Sequence, residues 1–101
     1  MFESTKFRVL EIILKNRRSG FDAIQVALMR NLPALSWEEI TSFIAVLGRE
    51  GYLQNIYGDD ALQAIIVQPA ARARLYDARE NVKSEMAKAI IDRIIKFMPL
   101  P

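Results

Sequence analysis

Hydrophobic residues recur every three or four positions through most of the chain, which is the spacing of amphipathic helices. The first run covers residues 4–18 and is followed by Gly20, a residue suited to the left-handed position after a helix. A second helix is predicted from near Asp22 to Leu32, because Pro33 disfavours helical geometry in the residue before it. The predicted inward-facing residues of these helices are Phe7, Leu10, Ile13, Leu14, Phe21, Ile24, Leu28 and Leu32.

The third predicted helix has the clearest start signal in the chain. Ser36 and Glu39 have the spacing of a capping box, in which each side chain accepts a hydrogen bond from the backbone N–H of the other residue. Glu38 and Glu39 also lie at the positive end of the helix dipole. Gly51 follows the last turn and can close it. The predicted inward-facing residues are Ile40, Phe43, Ile44 and Leu47.

The pattern changes after the third helix. Residues 52–57 and 62–67 are rich in β-forming residues and flank Gly-Asp-Asp-Ala, which predicts a β-hairpin. A helical run follows over residues 70–78, and a last helix is predicted over about residues 80–98. The inward stripe predicted for this last helix is Val82, Met86, Ile90, Ile94 and Phe97.

The composition limits the chemistry that the chain can perform. At 101 residues, 51% hydrophobic and 26% charged, the sequence is typical of one globular domain with its own core. It has no cysteine and no histidine, which excludes disulfides, thiolate or imidazole metal sites, and Ser-His or Cys-His catalysis. We therefore expect no enzyme, no cofactor and no metal.

The distribution of charge argues against a membrane location. No apolar run reaches the about 18 residues that a membrane span needs. The segment of residues 1–11 is charged throughout, unlike the apolar region of a signal peptide. We expect a cytoplasmic protein.

The segment Tyr57-Gly58-Asp59-Asp60 lies between the two predicted strands and has two interpretations. The same residues form the hairpin signature of RNA-dependent polymerases, where the two aspartates hold magnesium. That chemistry needs further carboxylates on a neighbouring strand, and the other acidic residues of this chain fall on predicted helices or at their ends. Glycine and aspartate also favour tight turns for backbone reasons. We interpret the segment as a turn at the hairpin tip.

Two segments resemble the winged helix-turn-helix superfamily, in which a recognition helix leads into a two-stranded wing. The first is Ile40-x-x-Phe43-Ile44-x-x-Leu47-x-x-x-Gly51-Tyr52-Leu53, similar to the recognition helix and first wing strand. The second is Val67-Gln68-Pro69-Ala70-Ala71-Arg72-Ala73-Arg74-Leu75, similar to the exit from the second wing strand. Gln68 and Ala71 depart from the usual threonine and glycine of that exit.

The resemblance covers about residues 5–78 and implies a mainly α fold with a small β-hairpin, of the α+β class. The helix of about residues 80–98 is appended to this core, so that residues 1–101 form a single winged-helix domain. The appended helix, Arg49-Glu50-Gly51-Tyr52 and the Asp-Asp turn are similar to small YjcQ-like winged-helix proteins of bacteria and their phages.

The resemblance implies binding of double-stranded DNA by the helix of residues 36–50, in a bacterial or phage transcriptional regulator. In winged helices that bind DNA, the third helix enters the major groove and the wing contacts a flanking groove or phosphate. Trp37 either is exposed on this helix or packs on the second helix. Arg17 and Arg18 form either a phosphate site or a solvated helix end. The candidate nucleic-acid-binding residues are Arg17, Arg18, Arg30, Trp37, Thr41, Ser42 and Arg49.

The charge pattern of the predicted wing favours a different partner. The 22 residues from Glu50 to Ala71 include three acidic and no basic side chains, so the wing would repel phosphates. The alternative is therefore a winged-helix protein–protein interaction module with an acidic wing and no DNA binding.

The last predicted helix has a wider apolar face than one contact needs. Ile91, Ile95 and Met98 lie beside its inward stripe and are candidates for a homodimer interface. The alternative is that the whole face packs within one chain. Ile65 and Ile66, which fall on opposite faces of the second strand, also indicate that something covers that strand.

Overall fold

The first helix, α1 (Phe2–Lys15), lies at the centre of a computed structural model that describes residues 2–98. A helix that is apolar around most of its circumference is buried on several sides. The α1 residues Phe7, Val9, Leu10, Ile12, Ile13 and Leu14 are each at most 2% exposed. The remaining elements are α2 (Phe21–Asn31), α3 (Trp37–Arg49), β1 (Leu53–Gly58), β2 (Ala61–Val67), α4 (Ala71–Asn81) and α5 (Glu85–Phe97).

Helices α2, α3 and α5 pack directly on α1, and the hairpin of β1 and β2 packs mainly on α3. The faces of α2 and α3 that the sequence predicted to be inward are buried at Ile24, Leu28, Ile40, Ile44 and Leu47. Together the described residues form five helices and a two-stranded antiparallel sheet. The predicted α+β class is therefore confirmed. None of the helices in this part of the chain is both long and apolar enough to cross a membrane.

Both ends of α3 follow the local sequence signals. The Ser36 Oγ accepts a hydrogen bond from the Glu39 N–H at 3.1 Å, and the Glu39 Oε1 accepts one from the Ser36 N–H at 3.0 Å. At the other end Gly51 has a φ of +87°, the left-handed region that favours glycine. The Tyr52 N–H donates to the Leu47 carbonyl at 3.0 Å, which turns the chain directly from α3 into β1.

The end of α1 differs from the prediction. Gly20 has a φ of −65° and is the N-cap of α2, so it does not occupy the left-handed position after α1. Polar side chains bind the free carbonyls of α1 instead, which removes the need for a glycine there. The Asn16 amide donates to the Ile12 carbonyl at 2.7 Å, and the Arg17 guanidinium donates to the Leu14 carbonyl at 2.7 Å.

The hairpin is confirmed, with a two-residue turn. Gly58 pairs with Ala61, and the residues between them, Asp59 and Asp60, have φ angles of 51° and 64°. Two consecutive positive φ angles define the type I′ turn, whose twist matches that of the strands. Within residues 2–98 no three or more acidic side chains are grouped so that they could hold a metal ion.

The hairpin is attached to α3 by a close backbone approach. The Asn55 side chain on β1 donates to the Ile44 carbonyl on α3 at 3.0 Å. A Cβ at Gly48 would lie 2.6 Å from the Asn55 Nδ2. The absence of a side chain at Gly48 therefore leaves the room that this hydrogen bond requires.

Two helices follow the hairpin, as predicted, but the second begins at Glu85 rather than near residue 80. Of its predicted inner stripe, Ile90 and Ile94 are buried. The Ser84 Oγ accepts a hydrogen bond from the Ala87 N–H at 3.2 Å and begins α5, which leaves Val82 in the connection. Met86, expected in the core, is 66% exposed. The buried residues of α5 are Ala87, Ile90, Ile91 and Ile94.

Candidate nucleic-acid interface

The side of α3 opposite its buried stripe is accessible to solvent. Ser42 and Arg49 are exposed on this side, and Thr41 and Ala45 are partly exposed. This follows from the 3.6-residue period, because Ile40, Ile44 and Leu47 occupy the inner face. The helix therefore presents small and hydroxyl side chains, with one arginine in its last turn, to any partner that approaches.

The two hydroxyl groups on this face have the same internal acceptor. The Thr41 Oγ1 and the Ser42 Oγ donate to the Glu38 carbonyl at 2.9 and 3.0 Å. A hydroxyl has one donor and two acceptor positions, so in this conformation both oxygens remain able to accept. Exocyclic amino groups of adenine and cytosine in the major groove are donors that fit such acceptors.

A shallow cleft of about 440 Å³ lies between α3 and β1. Arg49 lines it on the helix side, and Gln54 and Tyr57 line it on the strand side. These three side chains are exposed and reach the same space. Gln54 and Tyr57 were not predicted from the sequence as site residues. The sequence feature that could have identified these two residues is their position on the strand that directly follows the predicted recognition helix.

Trp37 packs on α2, which is one of the two alternatives that the sequence left open. Its indole ring lies edge-on to the Phe21 ring, with centroids 6.2 Å apart. Trp37 is partly buried and lines a further cavity together with Thr41 and Tyr57. The ring contact places it against Phe21 at the start of α2.

Charges on this surface are mixed. Arg49 is exposed on this surface, and Arg30 is exposed in the last turn of α2, away from the lining of the α3–β1 cleft. Neither forms an ion pair with another described residue. At the start of α3, the backbone N–H and the hydroxyl of Ser36 lower the pKa of Glu39, which keeps this carboxylate charged. The hairpin tip adds two exposed carboxylates, Asp59 and Asp60.

Arg17 and Arg18 lie beside a different cavity, which follows the end of α1, strand β2 and the start of α4. This cavity and the α3–β1 cleft have only Gln68 in common. The structure thus brings Thr41, Ser42 and Arg49 to one surface and places Arg17 and Arg18 elsewhere. The bond from Arg17 to the Leu14 carbonyl supports the helix-end interpretation for that residue.

The candidate dimer residues have different environments. Ile91 is 0% exposed and belongs to the core, which for this residue favours the alternative that the apolar face packs within one chain. The rotation of α5 that exposes Met86 turns Ile91 into the core. Ile95 and Met98 are partly buried and pack against the edge of the core. Any homodimer through α5 would use these two residues and Met86.

Comparison of the chain with protein-family models, with curated proteins and with solved structures yields no match.

Proposed function

We propose that the protein binds double-stranded DNA through α3 and strand β1, as a winged-helix transcriptional regulator of bacterial or phage type acting in the cytoplasm. The observation that supports this most directly is the α3–β1 cleft, where Arg49 and Gln54 are exposed side by side with Tyr57. Arginine and glutamine are the side chains that form bidentate hydrogen bonds with guanine and adenine in the major groove.

In the proposed complex, α3 lies in the major groove and the hairpin follows a flanking backbone. Thr41 and Ser42 accept hydrogen bonds from base amino groups, and Arg49 contacts a guanine or a phosphate. The acidic tip at Asp59 and Asp60 stays away from the phosphates because like charges repel. With few cations at the interface, the affinity should be micromolar at low salt and fall as salt rises.

Binding to mixed-sequence duplex DNA, measured by fluorescence anisotropy at about 50 and about 200 mM salt, tests the proposal. Arg49→Ala should weaken binding and reduce the salt slope by about one unit. Lys96→Ala is the matched control, because it removes one exposed charge from α5 and should leave the slope unchanged. If the protein does not bind DNA at the lower salt concentration, the proposal is wrong.

A second candidate function is a protein–protein interaction module with no DNA binding. The acidic hairpin favours it, because residues 50–71 contain no basic side chain and the exposed tip has two carboxylates. A basic partner would bind this tip. In that case the double variant Asp59→Asn with Asp60→Asn abolishes the interaction, whereas Arg49→Ala does not.

A homodimer through α5 belongs to the same proposal, since dimers bind two half-sites of an operator. Met86→Glu with Ile95→Glu should then produce a folded monomer in sedimentation velocity. A wild-type protein that is monomeric at all concentrations would contradict the dimer. Binding of DNA by a single domain is tested separately, by the anisotropy experiment.

A further inference from the structure

Strand β2 has a free main-chain edge. The Gln68 N–H donates to the Tyr52 carbonyl at 2.9 Å, next to the pair of Leu53 and Val67. In an antiparallel ladder every second residue turns its N–H and C=O toward the partner strand. The main-chain groups of Ile65 and Val67 therefore point away from β1. The sheet of the described residues has two strands, and no hydrogen bond within residues 2–98 uses these groups.

A cavity of about 600 Å³ follows this free edge. Its apolar lining includes Leu14 from α1, Ile66 from β2 and Met98 after α5. No acidic side chain of the described residues lines it. We call this surface the edge groove: the outer edge of β2 together with the side chains that line the cavity. Its volume is in the range of ligand sites.

Three arginines line the edge groove, namely Arg17, Arg18 and Arg72. Of the eleven other lysines and arginines in residues 2–98, six have a carboxylate within 4.0 Å: Lys6, Arg8, Lys15, Arg79, Lys88 and Arg93. The three groove arginines have none, so their positive charge is not neutralised by the described part of the chain.

Two of the groove arginines are nevertheless held in place by neutral groups. The Arg17 Nη1 donates to the Leu14 carbonyl at 2.7 Å, and the Arg72 Nη1 donates to the Met98 carbonyl at 3.2 Å. The Arg72 guanidinium also lies over the Tyr76 ring, 5.6 Å from its centroid. Such positioning lowers the entropy that the side chains lose when they bind a carboxylate.

We propose that the edge groove binds an extended acidic peptide segment of another protein, which adds to β2 as a third strand. The peptide backbone would pair with the free groups of Ile65 and Val67, as in other strand-addition complexes. Successive side chains of a strand point to opposite faces. One set would therefore fill the apolar cavity, and acidic side chains of the other set would bind the arginines.

Two other occupants fit the edge groove less well. A second copy paired edge to edge through β2 would bring both sets of Arg17, Arg18 and Arg72 together, and like charges that are close repel each other. Duplex DNA would satisfy the arginines but leave the main-chain groups of Ile65 and Val67 without strand partners and the apolar cavity empty. This inference is independent of DNA binding through α3, because it concerns a different surface.

The probe for the experiment is a fluorescent hexapeptide of alternating glutamate and valine, titrated into the full chain at low salt. Saturable binding should protect the amides of Ile65 and Val67 from hydrogen exchange. Arg17→Gln with Arg18→Gln should weaken binding by about tenfold or more, because it removes two charges that form charge-assisted hydrogen bonds with the glutamates. The control variant Lys96→Gln should bind as the wild type does.

Two matched peptides separate the parts of the proposal. A lysine–valine hexapeptide should not bind, because its charge opposes the arginines. A glutamate–valine hexapeptide with alternate N-methylated amides should bind at least about tenfold more weakly, because it cannot complete the ladder. The proposal is overturned if the first glutamate peptide does not bind, if either matched peptide binds equally well, or if duplex DNA or self-association protects the same amides in its place.

Discussion

The carboxylate of Glu11 in the middle of α1 is bound by the guanidinium of Arg93 on α5, a residue 82 positions later in the chain. The Arg93 Nη2 lies 2.7 Å from Oε1, and the Arg93 Nε donates to Oε2. Arg8 donates to the same carboxylate at 2.8 Å, and the Lys15 Nζ lies 3.6 Å from it. The Glu11 side chain is 0% exposed, whereas the Arg93 side chain that covers it is 52% exposed, so this cluster links the two packed helices at the solvent-facing edge of their contact.

We expect Glu11→Gln to lower the free energy of unfolding by about 2 kcal/mol at neutral pH, because it removes charge-assisted hydrogen bonds from a buried position. Burial alone raises the pKa of Glu11, but hydrogen bonds from Arg93 and Arg8 and the charges of Arg93 and Lys15 outweigh it and lower the pKa. A lowered carboxyl pKa stabilises the fold above the unfolded value of about 4.3, and this contribution disappears as the pH falls through the folded value.

The difference between wild type and Glu11→Gln should therefore shrink on acidification. Urea unfolding followed by circular dichroism between about pH 7 and pH 3 measures it. Glu80→Gln, at an exposed position on α4, is the charge-matched control and should change stability little. A difference that stays constant over this range would show that the carboxylate charge of Glu11 does not stabilise the fold.

The phenol of Tyr52 should make the protein lose stability in strong base. Burial, with smaller effects of the Glu50 and Asp77 charges against that of Arg74, raises the pKa of Tyr52 to about 12. A raised pKa means that the folded state prefers the neutral phenol, so stability is complete below the unfolded value of about 10 and declines as the pH approaches the folded value.

Tyr52→Phe removes this titration and retains the packing of the ring. At neutral pH the variant should lose less than about 1 kcal/mol, because the hydrogen bond from Tyr52 Oη to the Arg74 carbonyl is long, at 3.5 Å. Between about pH 10 and pH 12 the variant should gain about 2 kcal/mol relative to wild type. Parallel stability curves for the two proteins across this range would contradict the prediction.

The contact between Gly48 and Asn55 predicts a change of sign in a double-mutant cycle. Gly48→Ala alone should be destabilising, because the new Cβ would displace the Asn55 amide from its bond to the Ile44 carbonyl. In the Asn55→Ala background the amide is absent, and the same change should stabilise α3 by about 0.5–1 kcal/mol through helix propensity. Equilibrium unfolding of the four proteins measures the coupling, and additive effects would rule out the contact.

The turn at the hairpin tip predicts opposite effects of two substitutions at Asp60. Asp60→Gly should stabilise the protein by about 0.5 kcal/mol, because glycine adopts a positive φ without strain. Asp60→Val should destabilise it by about 1–2 kcal/mol, because a β-branched residue is strained at a φ of 64°. Thermal unfolding with and without magnesium checks both. Stabilisation of wild type by magnesium that Asp60→Gly abolishes would instead indicate a metal site.

Part of the candidate site was predictable from the sequence. The outward placement of Thr41, Ser42 and Arg49 follows from the helical period of α3, because the capping box fixes the residue at which this helix begins. Gln54 and Tyr57 were not predictable as neighbours of Arg49 in the cleft, since the packing of β1 on α3 decides which strand side chains lie beside the helix. The edge groove was not predictable either, because Arg72 is far in sequence from Arg17 and Arg18.

The sequence by itself determined the features that neighbouring residues create: the start of α3 at Ser36, its end at Gly51 and the tight turn at Asp59 and Asp60. Each depends on backbone angles and hydrogen bonds within a few residues. Only the tertiary structure decided that Ile91 is inside and Met86 outside, and that Glu11 is buried among cations. Several rotations of an apolar helix satisfy its local pattern, and packing against helices distant in the chain selects one of them.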